Sequence, residues 1–83
     1  MREIKFSKKA KKHIDNLDAS TRERILKVLA RFRNDPGSVD LKKLGGLKNK
    51  WRIAVGRYRV IFSIRKQEKD VYILDVLPRK NAY

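Results

Sequence analysis

The order of polar and apolar residues predicts a strand and then a helix at the start of the chain. Residues 2–6 alternate polar with apolar side chains, which is typical of a half-buried strand. Ser7 is a favourable helix N-cap. The apolar residues after it recur at helical spacing: Ala10, Ile14 and Leu17. The lysines between them are expected on the exposed side of that helix.

A second helix is predicted by a capping motif and an apolar stripe. Ser20 followed by Glu23 forms a capping box, and the apolar residues after it recur at i, i+3, i+4 and i+7. These residues are Ile25, Val28, Leu29 and Phe32. The helix breakers at residues 34–38 end this helix. Because the link between the two helices is short, the pattern predicts an antiparallel helical hairpin.

Residues 39–49 have a less regular pattern, which fits either a loop or a short helical turn. Leu41, Leu44 and Leu47 are expected to anchor this segment against the core. The glycine pair at 45–46 predicts a bend. We predict no strand in this segment.

The last third of the chain predicts three strands, at residues 51–55, 58–64 and 71–77. Gly56 and Arg57 fit the central positions of a type II′ hairpin turn, because glycine tolerates the positive φ of the first position. Residues 66–70 form a charged turn, and Pro78 ends the last strand.

One side of the predicted hairpin is uniformly large and apolar and should pack against the helices. Its members are Trp51, Ile53, Val55, Tyr58, Val60, Phe62 and Ile64. Arg52 and Arg59 then lie close together on the opposite, solvated side, which we call the arginine face. Neighbouring like charges are destabilising unless an anion lies between them. The expected order is β-α-α-β-β-β, an α+β fold with a helical hairpin packed on one face of an antiparallel sheet, as a single domain over residues 1–83.

The charge of the chain narrows the choice of partners. Lysine and arginine number 23 against 9 acidic residues, a formal net charge of +14, which favours contact with nucleic acid or the ribosome. Cysteine is absent and only one histidine is present, so disulfides are excluded and no metal or other cofactor is expected. The charged N-terminus does not read as a signal peptide, and no apolar run approaches the ~20 residues of a membrane span. A cytoplasmic protein is expected.

Four segments of the chain resemble the RelE branch of the RelE/ParE toxin superfamily. They are Leu44-Gly45-Gly46, Trp51-Arg52, Gly56-Arg57-Tyr58-Arg59-Val60-Ile61-Phe62 and Arg79-Lys80-Asn81-Ala82-Tyr83. The expected element order matches that family over essentially the whole chain. The resemblance implies a toxin of a type II toxin–antitoxin system that cleaves mRNA in the ribosome, using the 2′-hydroxyl to attack the adjacent phosphate without metal. It also implies a cognate antitoxin partner.

The resemblance also assigns roles to individual residues. The matching catalytic positions are Arg59, Arg79 and Tyr83. The residues expected to bind RNA are Arg52, Arg57 and Lys80. Fixed guanidinium groups suit this chemistry because the phosphorane-like transition state gains negative charge and their planar fork can contact phosphate oxygens in pairs.

Two departures from the family pattern leave the general base open. Ala54 stands where many active relatives carry a second basic residue, and Arg52 stands where some carry lysine. Arginine is a poor general base because it stays protonated. The one histidine, His13, is predicted to lie on the helix surface, away from the arginine face. Arg59 has a purely structural alternative, a surface ion pair with Asp75.

Two other functions are compatible with the same residues. A ParE-like protein would share the fold but poison DNA gyrase, since fold alone does not set function. A non-catalytic RNA- or ribosome-binding module would use the same positive charge and show salt-sensitive binding without cleavage.

Overall fold

The structure is a computed structural model in which residues 3–46 and 49–81 are described. These residues form two α-helices and five strands, joined by turns. The strands are β1 (Glu3–Phe6), β2 (Asp40–Lys43), β3 (Lys50–Val55), β4 (Tyr58–Arg65) and β5 (Asp70–Pro78). The helices are α1 (Lys8–Asp15) and α2 (Ala19–Asn34), and short 3-10 turns follow at Pro36–Ser38 and Arg79–Asn81.

The sheet has the order β1-β5-β4-β3-β2. The chain alternates direction from β2 to β5, so these strands are antiparallel, whereas β1 runs parallel to β5 at the opposite edge. A bulge interrupts β5, since Ile61 pairs with Asp75 while Phe62 pairs with Ile73. The α+β class and the helices on one sheet face are confirmed, but the sheet is mixed rather than wholly antiparallel.

Both helices begin at capping side chains. Ser7 accepts a hydrogen bond from the N–H of Ala10 at 3.0 Å, as predicted for the start of α1. The N-cap of α2 is Asp18, whose carboxylate accepts from the N–H of Thr21 at 3.0 Å. The predicted Ser20 capping box is therefore wrong, because the helix starts two residues earlier. The hydrogen bond from Thr21 also lowers the pKa of Asp18.

The core lies between the helices and one face of the sheet. Ala10 and Ile14 of α1 share it with the apolar stripe of α2 and with alternate residues of three strands. The fully or nearly fully buried members are Ile25, Leu29, Phe32, Ile53, Val55, Val60, Phe62, Val71, Ile73 and Val76. Trp51 and Tyr58 pack against this core, as the alternation predicted. The arginine face is consequently the sheet surface opposite this core.

The segment predicted to lack a strand contains one. β2 pairs antiparallel with β3, and Leu41 packs against the core from it. The alternation is obscured because Lys43 lies on the core side of the sheet, where its ammonium group is 5.8 Å from the ring centroid of Trp51. The bend at Gly45 and Gly46 is present, and Leu47 lies outside the described residues.

Neither helix in the described ranges has the length and apolar content that a membrane-spanning helix needs.

Candidate functional site

The arginine face is ordered by the registers of three neighbouring strands. One row across the sheet contains Arg52, Ile61 and Asp75. The next row contains Ala54, Arg59 and Leu77. Arg52 and Arg59 are therefore diagonal neighbours on one face, a relation that places Cα atoms about 7–8 Å apart. The predicted proximity of the two arginines holds at the level of the backbone.

Ile61 lies at the centre of this arrangement and is only 1% exposed, although it faces away from the main core. Arg52 lies beside it on β3, Asp75 lies beside it on β5, and Arg59 is two residues before it on β4. The face is thus an apolar centre surrounded by charged side chains.

The Arg52 guanidinium is turned towards the edge strand β2. Its Nη1 donates to Oδ1 and to the main-chain oxygen of Asp40, both at 3.1 Å. The Arg52 side chain is 19% exposed, whereas that of Asp40 is 68% exposed. Asp40 itself pairs with Ala54, the position where relatives carry a second basic residue. Asp40 therefore neutralises Arg52, one of the residues predicted to bind RNA.

The Arg59 guanidinium is held by the hairpin turn. Its Nη1 donates to the carbonyl oxygens of Gly56 at 3.1 Å and of Tyr58 at 2.9 Å. Gly56 has a φ of 56°, and it is the only positive-φ residue of the predicted two-residue turn. Arg59 makes no ion pair with Asp75, whose carboxylate is bound from α1 instead. The structural alternative considered for Arg59 is therefore wrong.

Arg79 lies at the same end of the sheet as Arg59. Its N–H donates to the carbonyl of Arg57 at 2.7 Å, just past the pairing of Arg59 with Leu77. Arg57 in the hairpin turn and Lys80 in the final 3-10 turn are exposed. The backbone therefore brings Arg57, Arg59 and Arg79 to the end of the sheet formed by the β3–β4 turn and the end of β5. The remaining predicted catalytic residue, Tyr83, lies outside the described residues.

His13 is not the isolated surface residue that was predicted. Its Nδ1 is hydrogen-bonded to Oδ1 of Asp75, so α1 reaches the border of the arginine face. A sequence signal did exist: Asp75 is a carboxylate within an apolar strand, and a buried carboxylate needs a cationic or donor partner. Lys9 and His13, four residues apart on one side of α1, are suitable partners, and both bind it.

A second ion cluster lies at the far end of the same strands. Arg65 donates two hydrogen bonds of 2.7 Å to Asp70, and its guanidinium carbon is 4.3 Å from the ring centroid of Tyr72. Lys5 on β1 is 3.7 Å from the same carboxylate. The hydrogen bonds from Arg65 lower the pKa of Asp70, although its burial acts in the opposite direction. This cluster closes the charged turn between β4 and β5.

Within residues 3–46 and 49–81, histidine, aspartate and glutamate form no cluster of three or more that could hold a metal ion. The guanidinium groups of the arginine face are suited to stabilising negative charge, and an imidazole lies at the border of this face.

The family of the chain follows from a match that spans almost all of it. Residues 4–83 match the family model described as ParE toxin of type II toxin-antitoxin system, parDE. The chain belongs to this family of type II toxin–antitoxin toxins, within the RelE/ParE superfamily that its motifs resemble. No curated protein matches the chain.

Solved structures of RelE proteins have the same fold. The RelE–RelB complex from Pyrococcus horikoshii contains a chain with 28% identity and a TM-score of 0.78, with 98% of both chains covered. For the RelB–RelE complex from Methanococcus jannaschii the identity is 26% and the TM-score 0.77, covering 92% of this chain and 91% of the other. The isolated Escherichia coli RelE toxin reaches a TM-score of 0.81 at 20% identity, covering 99% and 88%, a likeness of fold alone.

Proposed function

We propose that this toxin is a metal-independent endoribonuclease that cleaves mRNA in the ribosome. The proposal is supported by the strand registers, which make Arg52 and Arg59 diagonal neighbours on one face, and by the position of Arg79 at the strand end beside the Arg59 hairpin. Three guanidinium groups from separate strands or strand ends can contact one phosphodiester and its neighbours. The net charge of +14 adds a general attraction for RNA.

The proposed chemistry uses positions already held by the fold. Arg59 is fixed by two carbonyl groups of its own hairpin, so its guanidinium needs little reorganisation to meet a developing negative charge. Arg79, directly after β5, contacts the same phosphate. Arg52 exchanges its ion pair with Asp40 for a contact with the RNA backbone and so positions the RNA. Arg57 and Lys80 neutralise flanking phosphates, and Tyr83 acts by stacking on a base or by proton transfer.

The proposal is tested by translation in a cell-free extract followed by mapping of message ends. The purified chain should produce codon-spaced cuts with 2′,3′-cyclic phosphate and 5′-hydroxyl ends. Arg59→Ala should abolish them. Arg33→Ala is the matched control because Arg33 is an exposed arginine of α2 on the helix side of the sheet. Stalled synthesis with intact message would contradict cleavage, and salt-sensitive ribosome binding without any cut would identify a binding module instead.

We propose further that a cognate antitoxin binds and silences this chain. Complexes of RelE with RelB from Pyrococcus horikoshii and Methanococcus jannaschii support this because those toxin chains share the fold and over a quarter of their residues. An acidic segment would complement the arginine face. Co-purification with a protein encoded by a neighbouring gene, and a higher melting temperature of the complex, would support the proposal. A neighbour that neither binds nor stabilises the chain would contradict it for that pair.

Inhibition of DNA gyrase is the second candidate. The matching family model is named after ParE, and Ala54 removes one of the cationic groups found in many active nuclease relatives. A supercoiling assay with purified gyrase separates the two candidates. Loss of supercoiling activity at toxin concentrations that leave ribosome-bound message intact would favour this second function.

A further inference from the structure

Asp75 is a buried carboxylate at the border of the arginine face, and α1 supplies two of its partners. The residue is 6% exposed. One carboxylate oxygen, Oδ1, accepts the N–H of Val76 at 2.8 Å and is hydrogen-bonded to Nδ1 of His13. The other oxygen, Oδ2, is 3.2 Å from Nζ of Lys9. Both oxygens of this carboxylate therefore have a nitrogen partner.

The helix that carries His13 is fixed against the same stretch of β5. The Ser7 hydroxyl donates to the carbonyl of Leu74 at 2.8 Å, and the Ser7 N–H donates to that of Ile73 at 2.9 Å. These bonds attach the start of α1 to the β5 bulge directly before Asp75. The position of the imidazole is consequently restricted by the attachment of α1 to β5 and by its hydrogen bond to Asp75.

The location of this pair matters because of its relation to the guanidinium groups. Asp75 lies opposite Ile61, whereas Arg59 lies opposite Leu77, so Asp75 and Arg59 are diagonal neighbours. Such positions have Cα atoms about 7–8 Å apart. The His13 side chain is 38% exposed, so part of the ring is accessible beside Asp75. Among the described residues, the hydrogen bond of the His13 ring is made through Nδ1.

We propose that His13 is the general base of the proposed RNA cleavage, oriented by Asp75. The inference rests on the proposed nuclease function and supplies the proton acceptor that Ala54 and Arg52 cannot. A carboxylate on Nδ1 fixes the tautomer with the proton on that nitrogen and leaves Nε2 as the acceptor. Asp75 is thus a positioning residue, and it also stabilises the imidazolium that forms.

The reaction uses the substrate, water and side chains of this protein. The proton of the ribose 2′-hydroxyl moves to Nε2 of His13 as the 2′-oxygen forms a bond to phosphorus. The bond from phosphorus to the 5′-oxygen breaks, and that oxygen takes a proton from water. The products are a 2′,3′-cyclic phosphate and a 5′-hydroxyl, and the imidazolium then returns its proton to solvent. Arg59 neutralises the phosphate oxygens throughout.

The competing explanation is that His13 and Lys9 only compensate the buried charge of Asp75. Both roles predict some loss of stability when the histidine is replaced. They differ in the pH dependence of cleavage, because only a base must lose its proton before the reaction. The charged group that contacts this imidazole is Asp75 of β5. Lys9, on the same helix as His13, forms an ion pair with the same carboxylate.

The test is single-turnover cleavage of a defined mRNA on programmed ribosomes, measured over a series of pH values from acidic to slightly alkaline. His13→Gln keeps a donor for Asp75 but offers no base. Lys12→Gln removes one positive charge from an exposed position of α1 and serves as the control. Melting temperature and ribosome binding are measured for each variant.

The expected result is a fall of about 10²–10⁴-fold in the cleavage rate of His13→Gln, with loss of the rise in rate between acidic and neutral pH. Ribosome binding should remain, and added imidazole should restore part of the activity of His13→Ala. Cleavage by His13→Gln with an unchanged pH profile would overturn the inference while leaving the nuclease in place. A wild-type chain that binds ribosomes without cutting would overturn both proposals.

If His13→Gln does not fold, His13→Ala and its recovery with imidazole decide the question. Rescue of cleavage by unprotonated imidazole supports His13 as the general base. A folded His13→Ala protein that imidazole does not rescue contradicts this role.

Discussion

Asp40 on β2 and Arg52 on β3 are diagonal neighbours that form an ion pair, with the carboxylate Oδ1 3.1 Å from Nη1 of the guanidinium. The arginine is largely buried while the acid is largely exposed. The ion pair therefore fixes the position of the Arg52 guanidinium while the Asp40 carboxylate stays accessible to solvent. A phosphate that approaches the arginine face has to compete with this carboxylate.

Removing the charge of Asp40 should strengthen RNA binding. Asp40→Asn removes the negative charge that competes with phosphate for the Arg52 guanidinium but keeps the main-chain oxygen that also accepts from it. Each additional phosphate contact on single-stranded RNA steepens the salt dependence by about 0.7. Fluorescence anisotropy with an oligoribonucleotide at several salt concentrations measures the slope. Asp35→Asn removes an acid from an exposed position after α2 and corrects for net charge. Equal slopes for the two variants would show that Arg52 does not contact RNA.

Gly56→Ala should destabilise the hairpin that carries Arg59. Gly56 has a φ of 56°, a conformation that costs an alanine roughly 1–2 kcal/mol. A Cβ there would also lie 2.9 Å from Nη1 of Arg24, but this flexible side chain can move. Chemical denaturation of Gly56→Ala, Arg24→Ala and the double variant separates the two causes. If the double variant regains full stability, the contact with Arg24 rather than backbone strain is responsible.

Most of the fold could be predicted because burial and alternation agree. The stripe of α2 that contains Ile25 and Leu29 and the alternation of β4 around Val60 and Phe62 are both found in the core. β2 could not be predicted, because Lys43 lies on the core side of the strand, where its ammonium group is 5.8 Å from the ring centroid of Trp51. The contact that explains this position is between strands and is not visible in local sequence.

The candidate site was predictable only in part, for a similar reason. Strand alternation places Arg52 and Arg59 on one face, and the register agrees. The partners of their guanidinium groups, Asp40 and the hairpin carbonyls, depend on side-chain direction and on an unpredicted strand. His13 was missed because its partner Asp75 is 62 residues away and follows a bulge. Pattern along a chain cannot show such a pairing.

Phe62→Ala should severely destabilise the protein. Phe62 is 0% exposed, and its ring centroid is 5.2 Å from that of Phe32, so truncation leaves a cavity between α2 and the sheet. Substitutions of this type cost about 3–5 kcal/mol, a large share of the stability of a small domain. Leu26→Ala is the control because Leu26 is 43% exposed. Urea denaturation should give a small change for Leu26→Ala, and comparable losses for both variants would argue against this core.

Acid should weaken the fold through Asp70. The hydrogen bonds from Arg65 lower the pKa of Asp70 in the folded state, while in the unfolded chain it titrates near 3.9. Protons therefore bind the unfolded state more readily. The contribution of this carboxylate to stability is fully present above about pH 5 and declines as the pH falls towards the folded-state pKa.

Asp70→Asn should consequently lower the melting temperature most at neutral pH. The difference from the wild type should shrink below about pH 4, where the unfolded wild-type carboxyl becomes protonated. Glu68→Gln, in the same charged turn but exposed, provides the comparison. Melting curves from neutral to acidic pH check the prediction. A difference between Asp70→Asn and wild type that stays constant with pH would mean that shape and hydrogen bonding at this position, rather than its charge, hold β4 and β5 together.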